Sequence, residues 1–114
     1  MPDCIFCRII QKKMPAKVLF EDTHFLAFED INPKAPTHIL IIPKKHIESL
    51  DTMVEEDEFA VGRLFMVARN LAREKKVHRS GYRTVINTGT DAGQSVFHIH
   101  LHLLGGRPMA WPPG

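Results

Sequence analysis

The 114-residue chain carries 15 Lys plus Arg against 13 Asp plus Glu, a formal net charge of +2, with 44% hydrophobic and 25% charged residues. That length suits one domain over residues 1–114, and the composition excludes wholesale disorder and the need for a disulfide scaffold. The near-neutral charge leaves no footprint for nucleic acid or a membrane surface. Seven histidines, three of them within five residues, are the anomaly.

No stretch approaches the ~20 apolar residues that span a bilayer, and the longest aliphatic run, residues 39–42, stops at Pro43. The N-terminal stretch, residues 1–8, has Asp3 where a signal peptide wants a basic region, and Arg8 interrupts its few apolar residues. With only Cys4 and Cys7 as thiols, a reducing, cytoplasmic location is expected.

In chain order, residues 4–11 read as a short helix ended before Pro15. Residues 17–21 and 25–28 read as strands joined at Asp22-Thr23 into a hairpin. Residues 31–36 form a proline-rich loop, and residues 38–42 a strand apolar on both faces, hence central. A long helix follows, with Thr52 and Glu55 as its capping box and Val61, Leu64, Phe65, Ala68, Leu71 and Ala72 as its buried face. Residues 55–58 load its first turn with acid and Arg73, Lys75 and Lys76 its last with base, which suits the helix dipole; Gly81 marks the stop. Residues 83–87 and 97–104 are the remaining strands, with a Gly-containing turn between them, and residues 105–114 form a tail. Five strands with a long helix between the third and fourth predict an α+β fold with a mostly antiparallel sheet, one long helix and one or two short ones. The order of the strands is not readable at this level.

Residues 98–102 read His-Ile-His-Leu-His. On an extended strand His98, His100 and His102 share one face while Ile99, Leu101 and Leu103 face the core, so the apolar set holds the register. That face is a solvated surface, a set of zinc ligands, or a site of phosphate chemistry with one imidazole as nucleophile. Just ahead lie Gly89, Gly93, Gln94 and Ser95, which form either a plain turn or a loop whose N–H groups converge on an anion; no Gly-Lys-Ser/Thr is present. Few acidic residues accompany the histidines, and phosphate chemistry is favoured. Cys4-x-x-Cys7 supplies half a tetrahedral zinc site, or a pair of thiols without metal.

At His98 to Leu104 the sequence resembles the histidine triad nucleotide-binding superfamily, and specifically its Hint branch. Cys4-Ile5-Phe6-Cys7, Phe28-Glu29-Asp30-Ile31, Ala35-Pro36-Thr37-His38, Pro43-Lys44-Lys45-His46, Gly93-Gln94-Ser95 and Trp111-Pro112-Pro113-Gly114 match as well, in the family's order. The resemblance implies a homodimer whose sheets join into one, and hydrolysis of purine nucleoside 5′-phosphoramidates with no cofactor needed for catalysis. By position His100 corresponds to the nucleophile. His102 would contact the phosphate, Ser95 would bond the phosphate or the leaving nitrogen, and Gly93 and Gln94 would shape that pocket. Asn87 falls at a nucleotide-contact position, and Asp30 and Ile31 match the pair that meets the sugar. Ile5, Phe6, Ile9, Phe28 and Ile31 would sandwich the base, or serve as core. His38 would support the triad; His24 and His78 match nothing and read as surface. Some bacterial members bind structural zinc at the positions of Cys4, Cys7, His46 and His98, while other Hint-branch members carry the cysteines without an obligatory metal. Cleavage of dinucleoside polyphosphates, a non-catalytic nucleotide-binding scaffold and a strand-borne zinc enzyme are the competing functions.

Overall fold

The computed structural model describes residues 3–114. Met1 and Pro2, the start of the N-terminal stretch read above, lie outside the described residues. The elements run α1 (Ile5–Ile10), β1 (Val18–Glu21), β2 (Phe25–Glu29), β3 (Thr37–Pro43), α2 (Glu58–Glu74), β4 (Tyr82–Val85) and β5 (Leu101–Gly105). The strands form one antiparallel sheet in the order β1-β2-β3-β5-β4. The α+β expectation therefore holds, and β3 is the central strand that its two-sided apolar pattern predicts.

Alternation along the strands builds two layers. Ala27, Ile39, Ile41, Leu101 and Leu103 face α2 and pack with Leu64, Val67, Ala68 and Leu71. Leu26, Phe28, Leu40 and Ile42 face the other way, against Phe6 and Ile9 of α1. Leu101 and Leu103 are fully buried, and truncating either to Ala costs roughly 2–5 kcal/mol. Their burial is what turns His102, between them, to the α1 face. Among the described residues no helix is long and apolar enough to cross a membrane.

Several local expectations are corrected. Phe65 is exposed and Val67 takes its place in the buried stripe, because the core covers the flank of the helix that carries Val67 and not the opposite flank that carries Phe65. Thr52 and Glu55 make no capping box: the Thr52 hydroxyl bonds the backbone of Ser49 instead. A 3-10 turn at Glu55–Asp57 leads into α2, and the buried Asp57 carboxylate accepts from Val54 N–H at 3.2 Å and from Lys45 Nζ at 2.6 Å. Lys45 holds that carboxyl below its usual range.

Nor does Gly81 end the helix. Lys76 adopts φ 62° and Val77 N–H donates to Ala72 O, a Schellman closure that needs a left-handed residue and here takes a lysine. The last strand joins the sheet only from Leu101, not from residue 97. Continuing the pairing would set Ile99 against Pro43, which has no N–H to give; Ile99 N–H donates to Ile47 O instead. The fourth strand spans Tyr82–Val85, short of Asn87.

Candidate active site

Register places the histidines. Leu40 pairs with His102 and Leu104 with His38, so both imidazoles stand on the α1 face of neighbouring strands. Lys34 N–H donates to Nδ1 of His38 at 3.0 Å, which puts the His38 proton on Nε2. That N–H meets Nδ1 of His102 at 2.9 Å, with Asp30 Oδ2 3.4 Å away. His102 therefore accepts at Nδ1 and carries its own proton on Nε2. In the same manner His100 donates its Nδ1–H to the carbonyl of His98 at 2.8 Å, which leaves Nε2 as the bare nitrogen.

Burial keeps these rings neutral. It pushes His100 and His38 below the ordinary value, and pushes His102 down to about 4, with His100 and His38 adding to the shift there. A neutral imidazole with one nitrogen fixed as donor is the form that can attack phosphorus.

His100 and His102 border a cavity of about 350 Å³. Its far wall is apolar, from Ile5, Phe6 and Ile9 of α1 and Phe28 of β2, with Met14, Ala16, Leu40 and Val96 completing it. Asp30, Ile31 and Ser95 line it too, with Ile31 97% exposed. Phe6 meets His100 edge-on at 5.1 Å between centroids. The volume and the apolar walls with a few polar groups among them suit a ligand with an aromatic body and a polar or anionic part.

Asn87, Gly93 and Gln94 do not line this cavity. Three of the loop's N–H groups are engaged within the loop and so do not serve an anion cradle. Gly89 N–H donates to Gln94 Oε1, Gly93 N–H to Thr90 O and Gln94 N–H to Gly89 O. Gln94, only 3% exposed, ties the loop down by donating to Glu48 O and Val96 O, so it supports Ser95 from behind. Met14, Ala16, Leu40 and Val96 were not anticipated; no pattern sets them apart from core residues. His24 and His78 are exposed, as their sequence context suggested.

Residues 3–110 match the model of the family described as "Scavenger mRNA decapping enzyme C-term binding". A HIT-like protein of Synechocystis sp. is 46% identical, over 98% of this chain and 97% of its own. The chain belongs to the histidine triad (HIT) family. The crystal structure of a HIT family hydrolase from Legionella pneumophila is 50% identical, with a TM-score of 0.96 over 98% of this chain and 100% of that one. A histidine triad protein from Clostridium difficile is 40% identical, with a TM-score of 0.93 over 96% of each chain.

A second cluster of this HIT chain lies beside the first. His98 is wholly buried and donates Nε2–H to Pro43 O at 2.8 Å, so its bare Nδ1 points at Cys4, Cys7 and His46. The ligand atoms stand 3.2 Å apart for His46 and His98, 3.4 Å for Cys4 and His98, 3.4 Å for Cys7 and His46, and 3.6 Å for Cys7 and His98. A zinc tetrahedron with ordinary bond lengths has N–N edges of about 3.3 Å and N–S edges of about 3.5 Å. The residues fit the metal, and the His98–Pro43 bond is the orienting contact that ligating histidines carry. Burial, then the adjoining Cys4 side chain, pushes the Cys7 thiol up; a divalent cation reverses this by stabilising thiolate.

Asp30, His38 and His102 also bring three ligand-type atoms together. That group does not suit a metal, because Lys34 N–H on His38 Nδ1 keeps the Nε2 lone pair occupied by a proton.

Proposed function

We propose that this HIT protein is a hydrolase of the Hint type, cleaving the P–N bond of purine nucleoside 5′-phosphoramidates. The observation that carries the reading is His100: a buried neutral imidazole, fixed by His98 O, whose bare Nε2 belongs to a ring bordering a nucleotide-sized cavity. The name of the Legionella relative, a HIT family hydrolase, points the same way.

In this mechanism His100 Nε2 attacks phosphorus and forms an N–P bond as the P–N bond to the amine breaks. The departing nitrogen takes up a proton from solvent and leaves as the amine, with Ser95 bonding the phosphate or the leaving nitrogen. His102 directs its Nε2–H at the phosphoryl oxygens. Water then displaces His100 from the nucleotidyl-histidine and releases the nucleoside monophosphate. Asp30 and Ile31 receive the ribose, and Ile5, Phe6, Ile9 and Phe28 the base. No step uses a metal. Zinc at Cys4, Cys7, His46 and His98, when bound, is a structural cross-link, and it leaves His100 and His102 free.

We further propose a homodimer. Among the described residues β4 is an edge strand paired only with β5, and Tyr82 of β4 and Phe59, Phe65 and Met66 of α2 leave apolar surface exposed.

The deciding test compares adenosine 5′-phosphoramidate, guanosine 5′-phosphoramidate and a diadenosine polyphosphate, each with and without chelator. Faster phosphoramidate cleavage unaffected by chelation supports the proposal. Preference for the diadenosine compound replaces it with P–O cleavage, and chelator-sensitive turnover with a zinc enzyme.

A further inference from the structure

The C-terminal tail reaches the triad through a run of hydrogen bonds. Arg107 Nε donates to the carbonyl of Lys34 at 2.9 Å, and Arg107 Nη1 donates to Pro108 O at 2.9 Å. Lys34 N–H donates to His38 Nδ1 at 3.0 Å, and His38 Nε2–H to His102 Nδ1 at 2.9 Å. Residue 34 thus has its carbonyl held by the tail while its N–H holds the first imidazole.

Lys34 needs such an anchor. It sits in the exposed loop between β2 and β3, flanked by Pro33 and Pro36, which have no N–H with which to bond the loop to itself. The tail closes on the loop because Gly106 permits it. Its φ is +93°, and a Cβ there would lie 3.0 Å from Pro36 Cβ and 3.2 Å from Pro36 Cγ. Gly105 before it passes Val77 so closely that a Cβ would meet Val77 Cβ at 2.7 Å. Two glycines therefore bring Arg107 over the loop, and the guanidinium's forked donors fix it at Lys34 and Pro108 together.

We propose that Arg107 is a positioning residue for the histidine triad. By holding the Lys34 carbonyl it keeps Lys34 N–H on His38 Nδ1, which fixes His38 and His102 in the tautomers that present His102 Nε2–H to a phosphoryl group. The catalytic consequence rests on the phosphoramidase reading above; the tautomer consequence does not.

The test uses the full chain with Arg107→Ala and Arg107→Lys. Histidine-selective ¹⁵N–¹H correlation spectra at neutral pH read the tautomer of each ring, alongside kcat for adenosine 5′-phosphoramidate and Kd for AMP. In the unaltered protein, His38 and His102 both show bare Nδ1 and protonated Nε2. In Arg107→Ala both rings become tautomer mixtures, kcat falls about tenfold and the AMP Kd moves less than about threefold. Arg107→Lys keeps one donor without the fork and recovers part of the tautomer signal.

Unchanged spectra in Arg107→Ala overturn the proposal, even if kcat falls, because Arg107 would then act by another route. Altered spectra with unchanged kcat overturn its part in catalysis. If the unaltered protein does not cleave the phosphoramidate, the functional reading fails, and the spectra still decide whether Arg107 sets the tautomers.

Discussion

His100 donates its Nδ1–H to the backbone carbonyl of His98, two residues earlier in the chain, at 2.8 Å. The same His98 turns its side chain away to Cys4, Cys7 and His46. One residue thereby orients the proposed nucleophile with its backbone and anchors the neighbouring cluster with its ring. Because a carbonyl can only accept, the His100 tautomer is fixed without help from a carboxylate.

Replacing that imidazole isolates its chemistry. His100→Asn removes the nucleophile, and turnover of adenosine 5′-phosphoramidate should fall by about 10³-fold or more. AMP affinity, which comes from the cavity walls and the sugar contacts, should change less than about threefold. Steady-state kinetics with calorimetric AMP titration check this, and a near-normal rate sinks the assignment of His100.

Ser95 lines the cavity, exposed, on a loop that Gln94 holds in place. Ser95→Ala should slow turnover about tenfold without abolishing it, and more with amines of high pKa, whose departure depends most on the bond to nitrogen. A series of phosphoramidates differing in amine pKa measures the slope. An identical slope in the variant rules out the leaving-group role.

Much of this arrangement was readable from alternation. The pattern Ile99, Leu101, Leu103 against His98, His100, His102 separates the two faces, although His98 and His100 are buried as well, and both the five strands and the long helix follow from period alone. What sequence could not show was each case where the backbone, and not a side-chain pattern, decides. Pro43 ends the pairing of the last strand because it lacks a donor, and Lys76 takes the left-handed turn that glycine usually fills. The glycine-rich loop has a composition that permits an anion cradle, yet the N–H groups of Gly89, Gly93 and Gln94 bond within the loop. Arg107 gave no signal either, since its partner is a carbonyl 73 residues away in the chain.

The titrations set a stability profile. Burial holds His102 at about 4 and His38 below its ordinary value of 6.5. Between those values the unfolded chain binds more protons than the folded one, so stability rises with pH across that window. It should be fully present above about pH 6.5 and be lost progressively as pH falls towards 4. Urea midpoints at constant ionic strength with chelator present test the sign, and a midpoint that stays flat or climbs on acidification refutes it.

Metal removal should act on α1. This helix has six residues, too few to persist alone, and its N-terminus is capped by Cys4 Sγ, which accepts Cys7 N–H at 3.4 Å. Zinc on both sulfurs would pin the helix to His98 and His46 and so fix Phe6 against His100. Protein purified without chelator should contain about one zinc per chain. After its removal, amides of residues 5–10 should exchange with deuterium about tenfold faster, while those of β3 stay protected. Elemental analysis finding no zinc, or exchange in α1 that ignores its removal, refutes the structural zinc.

The edge of the sheet carries the last prediction. Among the described residues β4 has one unpaired side, while Phe59 is 83% exposed on α2 beside Gly62 and Met66, with Tyr82 39% exposed on β4 itself. An open strand edge is an aggregation hazard unless a second copy covers it, and a symmetric pairing of two β4 strands would cover both edges at once. Light scattering during gel filtration should therefore give twice the chain mass of 13.0 kDa. Phe59→Asp and Met66→Glu each place an uncompensated charge on that surface and should shift the protein to monomer, with its far-UV spectrum retained. A monomer in the unaltered protein refutes the homodimer, and dimers indifferent to both charges move the interface elsewhere.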